Sequence, residues 1–225
     1  MAAFSDFYKV LPDPSHPIGL AGEQDALGSA GPGFATLTLR SHQDIMGTRH
    51  PSGREENCVN EEHYWIATIN YNPLPCQAFH TIFTFLQLKK AELEPFYIFL
   101  PQYMSQNITN KSLSASALKG DETLLIDGTG VTVGSVFNLS NHDKTYLVTR
   151  VETETDYYTP NSSPGAGKER IHIMPSLFMD SSSGNGLDFS TTKMTVMQTR
   201  DTDSYNLPAN NNLFTYSLEL EEVLT

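Results

Sequence analysis

Seven histidines in a chain of 225 residues invite a metal reading, and the densest group of ligating side chains is His42, His50, Cys58 and His63. Metal centres need nitrogen or sulfur donors converging on one ion, and local sequence boxes achieve this with short, fixed spacings. These four lie far apart in a polar stretch, so surface or structural roles are expected. Asp127-Gly-Thr-Gly-Val-Thr-Val-Gly134 has the glycine density of a phosphate cradle. It lacks the terminal Lys-Ser/Thr pair and leads into strand-forming residues instead of a helix N-terminus, so a β-turn is expected there. Carboxylates cluster at Glu55-Glu56, Glu61-Glu62 and Glu219/Glu221/Glu222, but acid–base work needs one of them desolvated, and these sit in polar runs that read as solvated faces. No Gly-x-Ser-x-Gly is present. Neither Cys58 nor Cys76 has the flanks of a nucleophile, and without a CxxC both read as reduced thiols. Four Asn-x-Ser/Thr sites, at Asn107, Asn110, Asn138 and Asn161, read as polar loop residues. The expectation is a protein that is not an enzyme and has no catalytic residues, no metal and no cofactor.

The elements around these residues are more informative than the residues themselves. From Trp65 to Tyr71 apolar residues alternate with Thr68 and Asn70, the period-2 signature of a half-buried strand. Asn72-Pro-Leu-Pro75 breaks it. From Pro75, taken as the first helical residue, Phe79, Ile82, Phe83 and Leu86 fall at i, i+3, i+4 and i+7 and predict an amphipathic helix over 75–90, with Lys89 and Lys90 near its C-terminus. Phe96-Tyr-Ile-Phe-Leu100 is a return strand closed by Pro101. Upstream, residues 1–33 are rich in Gly and Pro and predict an extended arm. Phe34–Arg40 alternates as a strand, and Ser41–Glu62 reads as a long polar loop.

After residue 104 the style changes to short alternating runs at about ten-residue spacing, the rhythm of a small barrel or sandwich. The runs are Thr123–Ile126, Val131–Val133, Val136–Leu139, Thr145–Val148 and Arg170–Met174. Thr191–Met197 and Asn212–Val223 then resume longer strands. The fold class predicted is mainly β: a β-sandwich with one amphipathic helix packed on it and an inserted small β-barrel domain. The predicted parts are an arm over 1–33, a sandwich from 34–103 plus 185–225, and a barrel over 104–184.

A net charge of -12, with only 14 Lys and Arg, argues against stable nucleic-acid binding. No run approaches the ~20 apolar residues that span a bilayer, so no membrane is expected as a partner. The opening Met1-Ala-Ala-Phe-Ser-Asp-Phe-Tyr-Lys9 lacks the basic start and apolar core of a signal peptide, and synthesis in a cytoplasm is expected.

Three stretches carry a family resemblance: His63-Tyr-Trp65 through Ile69-Asn-Tyr71-Asn-Pro-Leu74, then Phe79-His-Thr-Ile82-Phe-Thr-Phe85-Leu86, then Glu94-Pro95-Phe96-Tyr-Ile-Phe-Leu100-Pro101-Gln-Tyr103. Together they resemble the core of tailed-bacteriophage distal tail and baseplate hub proteins. Gly120-Asp121 with Leu124-Leu125, Gly134 with Val136, Tyr146-Leu-Val-Thr149 and Ile171-His-Ile-Met-Pro175-Ser-Leu177 resemble the small barrel that follows in that family. The resemblance runs in order over residues 34–225. A glycine common in the family before the return strand is absent from Lys90–Glu94, so the helix is expected to run on by a turn.

The resemblance implies a structural virion protein at the tail tip or baseplate, assembled in the host cytoplasm. It would form a homo-oligomeric ring, typically six-fold, that joins the tail tube protein to hub or receptor-binding proteins. Such a head-to-tail interface closes by rotation. The scaffold core would be Trp65, Tyr71, Phe79, Ile82, Phe83, Leu86, Phe96 and Ile98. Arg49, Arg54, Glu55 and Glu56 are the candidate subunit contacts. An alternative reading is a carbohydrate-binding module whose barrel displays Tyr157, Tyr158 and the 161–167 loop to a surface glycan.

Overall fold

A computed structural model describes residues 9–12, 33–89, 93–100, 108–158, 161–199 and 213–224. The fold is mainly β with one helix among the described residues, of the β-sandwich-with-helix class that the sequence predicts. The chain divides into two compact units, Gly33–Phe96 with Val196–Val223, and Tyr97–Thr195, to which residues 9–12 also belong. Most of the predicted arm lies outside the described residues. Within it, Val10 bridges Tyr97 in parallel, Leu11 N–H donates to the Tyr97 carbonyl at 2.9 Å, and the Leu11 side chain is buried.

In the first unit, β1 (Phe34–Arg49) and β2 (Glu55–Tyr71) form one antiparallel hairpin of 16 and 17 residues. Ser41–Glu62 is therefore the distal part of a hairpin and not the long loop expected. Its polar composition hid the pairing, because a ribbon solvated on both faces carries no apolar alternation. β3 (Leu74–Pro75) leads into α1 (Cys76–Leu88). Pro75 is the extended N-cap residue, not the first helical one, at φ -65 and ψ 155 and with no side-chain cap. The helix stops at Leu88. The Lys89 N–H closes the last turn onto the Phe85 and Leu86 carbonyls, both at 3.1 Å, and its buried ammonium pairs with Glu94 at 3.6 Å; the extra turn expected beyond it falls on residues 90–92, outside the described residues. The remaining strands of this unit are β12 (Leu213–Phe214), β13 (Ser217–Glu222) and the C-terminal part of β11 (Lys193–Gln198), and the sheet order runs β1-β2-β13-β11.

The core of this unit lies between the buried face of β2 (Trp65, Ala67, Ile69, Tyr71) and α1. Phe79 stacks on Phe214 at 4.6 Å and meets Tyr216 edge-on at 5.6 Å, while Phe85 meets Phe96 edge-on at 5.3 Å. The buried helix residues are Phe79, Ile82, Phe85 and Leu86, with Phe83 half-buried and stacked on Phe79 at 5.7 Å.

In the second unit, β5 (Lys111–Leu113), β6 (Thr123–Asp127), β7 (Val136–Leu139), β8 (Thr145–Glu152), β9 (Lys168–Met174) and β10 (Gly186–Asp188) close into a barrel of order β10-β5-β6-β9-β8-β7. Closure leaves no free sheet edge. The interior is filled by Leu124, Ile126, Phe137, Tyr146, Val148, Ile171, Ile173, Leu187 and Phe189 among others. Two predictions need correction. Val131–Val133 is not a strand, and Gly186–Asp188, assigned from sequence to the sandwich, completes the barrel. A three-residue strand flanked by Ser and Gly is too short to show periodicity. The units change at Phe96/Tyr97, inside β4 (Phe96–Phe99), and at Thr195/Val196, inside β11. β4 lies beside β11, and the Leu100 N–H donates to the Thr192 carbonyl at 2.9 Å.

Candidate functional site

Two features stand apart from the packing cores: the distal hairpin and the outer wall of the barrel. β13 pairs with β2 over Ile66–Asn70, and beyond that point no other described strand pairs with β1 or β2. Every residue from Arg40 to Glu56 is exposed. Ile45 and Met46, at 57% and 62% exposure, are adjacent in the strand and so project from opposite faces of this ribbon. At the tip, Arg49 lies 3.7 Å from Glu55, Arg54 3.3 Å from Glu56, and His50 3.7 Å from Glu56. The four predicted contact residues thus sit together. Their mutual pairs are solvated and worth little to stability, so they can be exchanged for a partner's charges at small cost. The His42 ring packs on Tyr64 at 4.5 Å, and the buried His63 shares a 2.9 Å hydrogen bond with Ser41. Among the described residues, no group of three or more His, Cys, Asp or Glu could hold a metal ion.

The glycine-rich loop between β6 and β7 does present backbone N–H groups to an anion, but the anion is the protein's own. Gly130 N–H donates to Glu169 Oε1 at 2.8 Å and Val131 N–H to Glu169 Oε2 at 3.1 Å, with the carboxylate buried. Gly130 has φ 96, a left-handed conformation that glycine adopts without strain. A second buried carboxylate corrects the reading of the C-terminal glutamates as one solvated face: Glu222 is buried and accepts the Trp65 N–H at 3.2 Å, while Glu219 and Glu221 are half-buried.

A bulge between Val148 and Arg150 builds the outer-wall cluster. Tyr146 and Val148 point into the barrel, and strict alternation would send Arg150 and Glu152 inward after them. The extra residue, Thr149, reverses the parity and turns both outward. Arg150 then faces His172, and Glu152 faces Arg170, as directly opposed pairs across β8 and β9. Glu152 is fully buried. Its Oε2 accepts from Arg170 at 2.9 Å, and its Oε1 lies 3.0 Å from His172 Nε2 and 3.7 Å from Arg150. Burial alone would raise the Glu152 pKa, but the hydrogen bonds from His172 and Arg170 and their charges outweigh it and hold the carboxyl below its ordinary value. The other guanidinium nitrogen of Arg170 donates to the Ser162 carbonyl at 3.1 Å, and Ser163 Oγ donates to the Glu154 carbonyl at 3.0 Å. These bonds tie down the loop that carries Tyr158, whose ring, 56% exposed, lies 5.9 Å from the Arg150 guanidinium carbon. Tyr157 is half-buried.

A third polar chain is structural. His142 Nδ1 meets Asn141 Oδ1 at 2.9 Å and Nε2 meets the Tyr146 hydroxyl at 2.7 Å, and that hydroxyl accepts the Phe178 N–H at 3.0 Å. Asn141 Nδ2 already donates to the Asp180 carbonyl and Oδ1 accepts, so Nδ1 carries a proton; in the neutral imidazole Nε2 then accepts from Tyr146. Burial favours that neutral form.

Of the predicted scaffold residues, Trp65, Tyr71, Phe79, Ile82, Leu86, Phe96 and Ile98 are buried and Phe83 is half-buried. Arg150, Glu152, Arg170 and His172 were not singled out from sequence. The available signal was a charged pair in phase with interior residues, which marks a bulge. The chain matches no protein-family model, and no curated protein matches it in sequence.

Proposed function

We propose that this chain is a structural virion protein of a tailed bacteriophage that forms a homo-oligomeric ring at the tail tip or baseplate. The ring would connect the tail tube protein to hub or receptor-binding proteins, and the chain would act by assembly, not catalysis. The observation that carries this reading is the distal β1–β2 hairpin. A two-stranded ribbon gains no core of its own, and one that is solvated on both faces, carries outward Ile45 and Met46 and ends in exchangeable charge pairs suits an arm that a neighbouring subunit covers. The residue resemblance to distal tail and hub proteins supports it independently. An acidic chain, at net charge -12, would repel DNA passing through a ring instead of retaining it. No helix among the described residues is long and apolar enough to cross a membrane. Native mass spectrometry across a concentration series, with negative-stain imaging, tests the proposal. Closed rings of one stoichiometry are expected, formed alone or on addition of tube protein, and a strict monomer under both conditions overturns it.

One observation favours a second reading, in which the barrel meets a glycan: Tyr158 is held exposed on the barrel wall beside Arg150. A glycan array probed with the whole chain tests it, and the absence of binding across neutral and charged arrays counts against it.

A further inference from the structure

Charge balance on the barrel wall singles out Arg150. The buried Glu152 is a single negative charge, and Arg170 already neutralises it through a 2.9 Å bond while His172 takes its other oxygen. Arg170 is already engaged: one nitrogen is on Glu152, another is on the Ser162 carbonyl, and its side chain is only 17% exposed. Arg150 touches the same carboxylate only at 3.7 Å and remains 51% exposed. Its charge is therefore in excess over the carboxylate beneath it, and about half of its side chain is open to solvent. The bulge fixes its direction. Its guanidinium lies over one face of the Tyr158 ring, which sits on a loop tied by Arg170 and by the Ser163–Glu154 bond. A donor fork held on a strand beside a half-exposed aromatic ring on a tied loop is a preorganised arrangement.

We infer that Arg150 and Tyr158 form a binding site for an acidic saccharide, in which Arg150 takes a ring carboxylate and Tyr158 takes the face of the pyranose. The inference rests on the second reading, that the barrel meets a glycan, and names the class of sugar. Guanidinium and carboxylate match in two parallel hydrogen bonds, and the aromatic ring covers the apolar C–H face of the sugar. Glu154 and Asp156 lie exposed in the same loop and repel a densely charged polymer. They favour a chain in which single carboxylates are separated by neutral sugars, and they oppose polyphosphates and nucleic acid.

The test titrates the whole chain by calorimetry with a tetrasaccharide alternating uronate and neutral sugars, and in parallel with the same tetrasaccharide after its carboxyl groups are reduced to alcohols. The acidic form is expected to bind and the reduced form to bind about tenfold more weakly, because a charge-assisted hydrogen-bond pair is lost. Arg150→Gln is expected to remove that preference. Arg150→Lys should restore only part of it, since a point charge lacks the fork. Tyr158→Ala should weaken both ligands alike. Affinity for the acidic form should fall with added salt. Equal binding of both tetrasaccharides, or an Arg150→Gln variant that keeps the preference while its thermal unfolding is unchanged, overturns the inference and leaves the glycan reading standing. If neither tetrasaccharide binds, the inference fails, and the array above decides separately whether the glycan reading fails with it.

Discussion

Single buried polar groups in this chain each hold a loop, and two of them make it sensitive to acid. Burial pushes the His142 imidazole below its ordinary value of 6.5, against the upward pull of Asp143 and with the downward push of Lys144. A histidine depressed in the folded state contributes stability that is complete above about 6.5 and is lost as pH falls from there through its folded value. Glu152 is depressed from 4.5, so its contribution is complete above that value and is lost as pH falls through the lower folded one. Thermal unfolding followed against pH should therefore show two successive losses on acidification, the first centred below 6.5 and the second below 4.5. His142→Gln should flatten the first and leave the second. Tyr146→Phe should cost about 1–3 kcal/mol in chemical denaturation at neutral pH, because the Phe178 N–H and His142 Nε2 both lose their partner. Glu169→Gln should cost about 2 kcal/mol, since one of the two accepting oxygens becomes an NH2 donor that faces a backbone N–H. Hydrogen exchange should place its effect in the 127–134 loop.

Elements differ in how they are stabilised, and the differences explain what the sequence revealed. The helix is held by aromatic packing, and Phe79→Ala should destabilise the protein by about 3–5 kcal/mol, measured by denaturant titration, because it removes the ring that Phe214 and Tyr216 pack against. That helix and strands β2, β6 and β9 were legible because their apolar residues repeat at the period of the element. The distal hairpin was not, because its pairing rests on backbone hydrogen bonds with little buried apolar surface. The second half of β8 was hidden for a related reason: the bulge after Val148 breaks the alternation, so the strand seems to end four residues before Glu152. The wall cluster of Arg150, Glu152, Arg170 and His172 comes from two strands in a register that only three dimensions disclose. Arg49, Arg54, Glu55 and Glu56 could be named as candidate subunit contacts because a charged segment between two strands is conspicuous; their tip geometry could not. Replacing Gln43–His63 by a two-residue Asn-Gly turn should leave a folded monomer by circular dichroism and abolish concentration-dependent association, whereas Ile45→Lys with Met46→Lys should weaken association without changing thermal stability.

At the scale of the whole molecule, two compact units are threaded by one chain, and the charge of the whole is acidic. If the chain closes into rings, assembly should survive raised salt better than the encounter rate does, because buried apolar contacts set how long partners stay together and long-range charge sets how often they meet. The 2.9 Å hydrogen bond between Leu100 and Thr192 has a further consequence. The segment that builds the barrel leaves one strand and rejoins the next with its two ends at hydrogen-bonding distance, so a short linker can close the gap it would leave and a different domain can occupy it. In genetic terms that geometry would make the barrel an exchangeable cassette. Recombination between these two points would exchange the barrel while leaving the strands on either side unchanged.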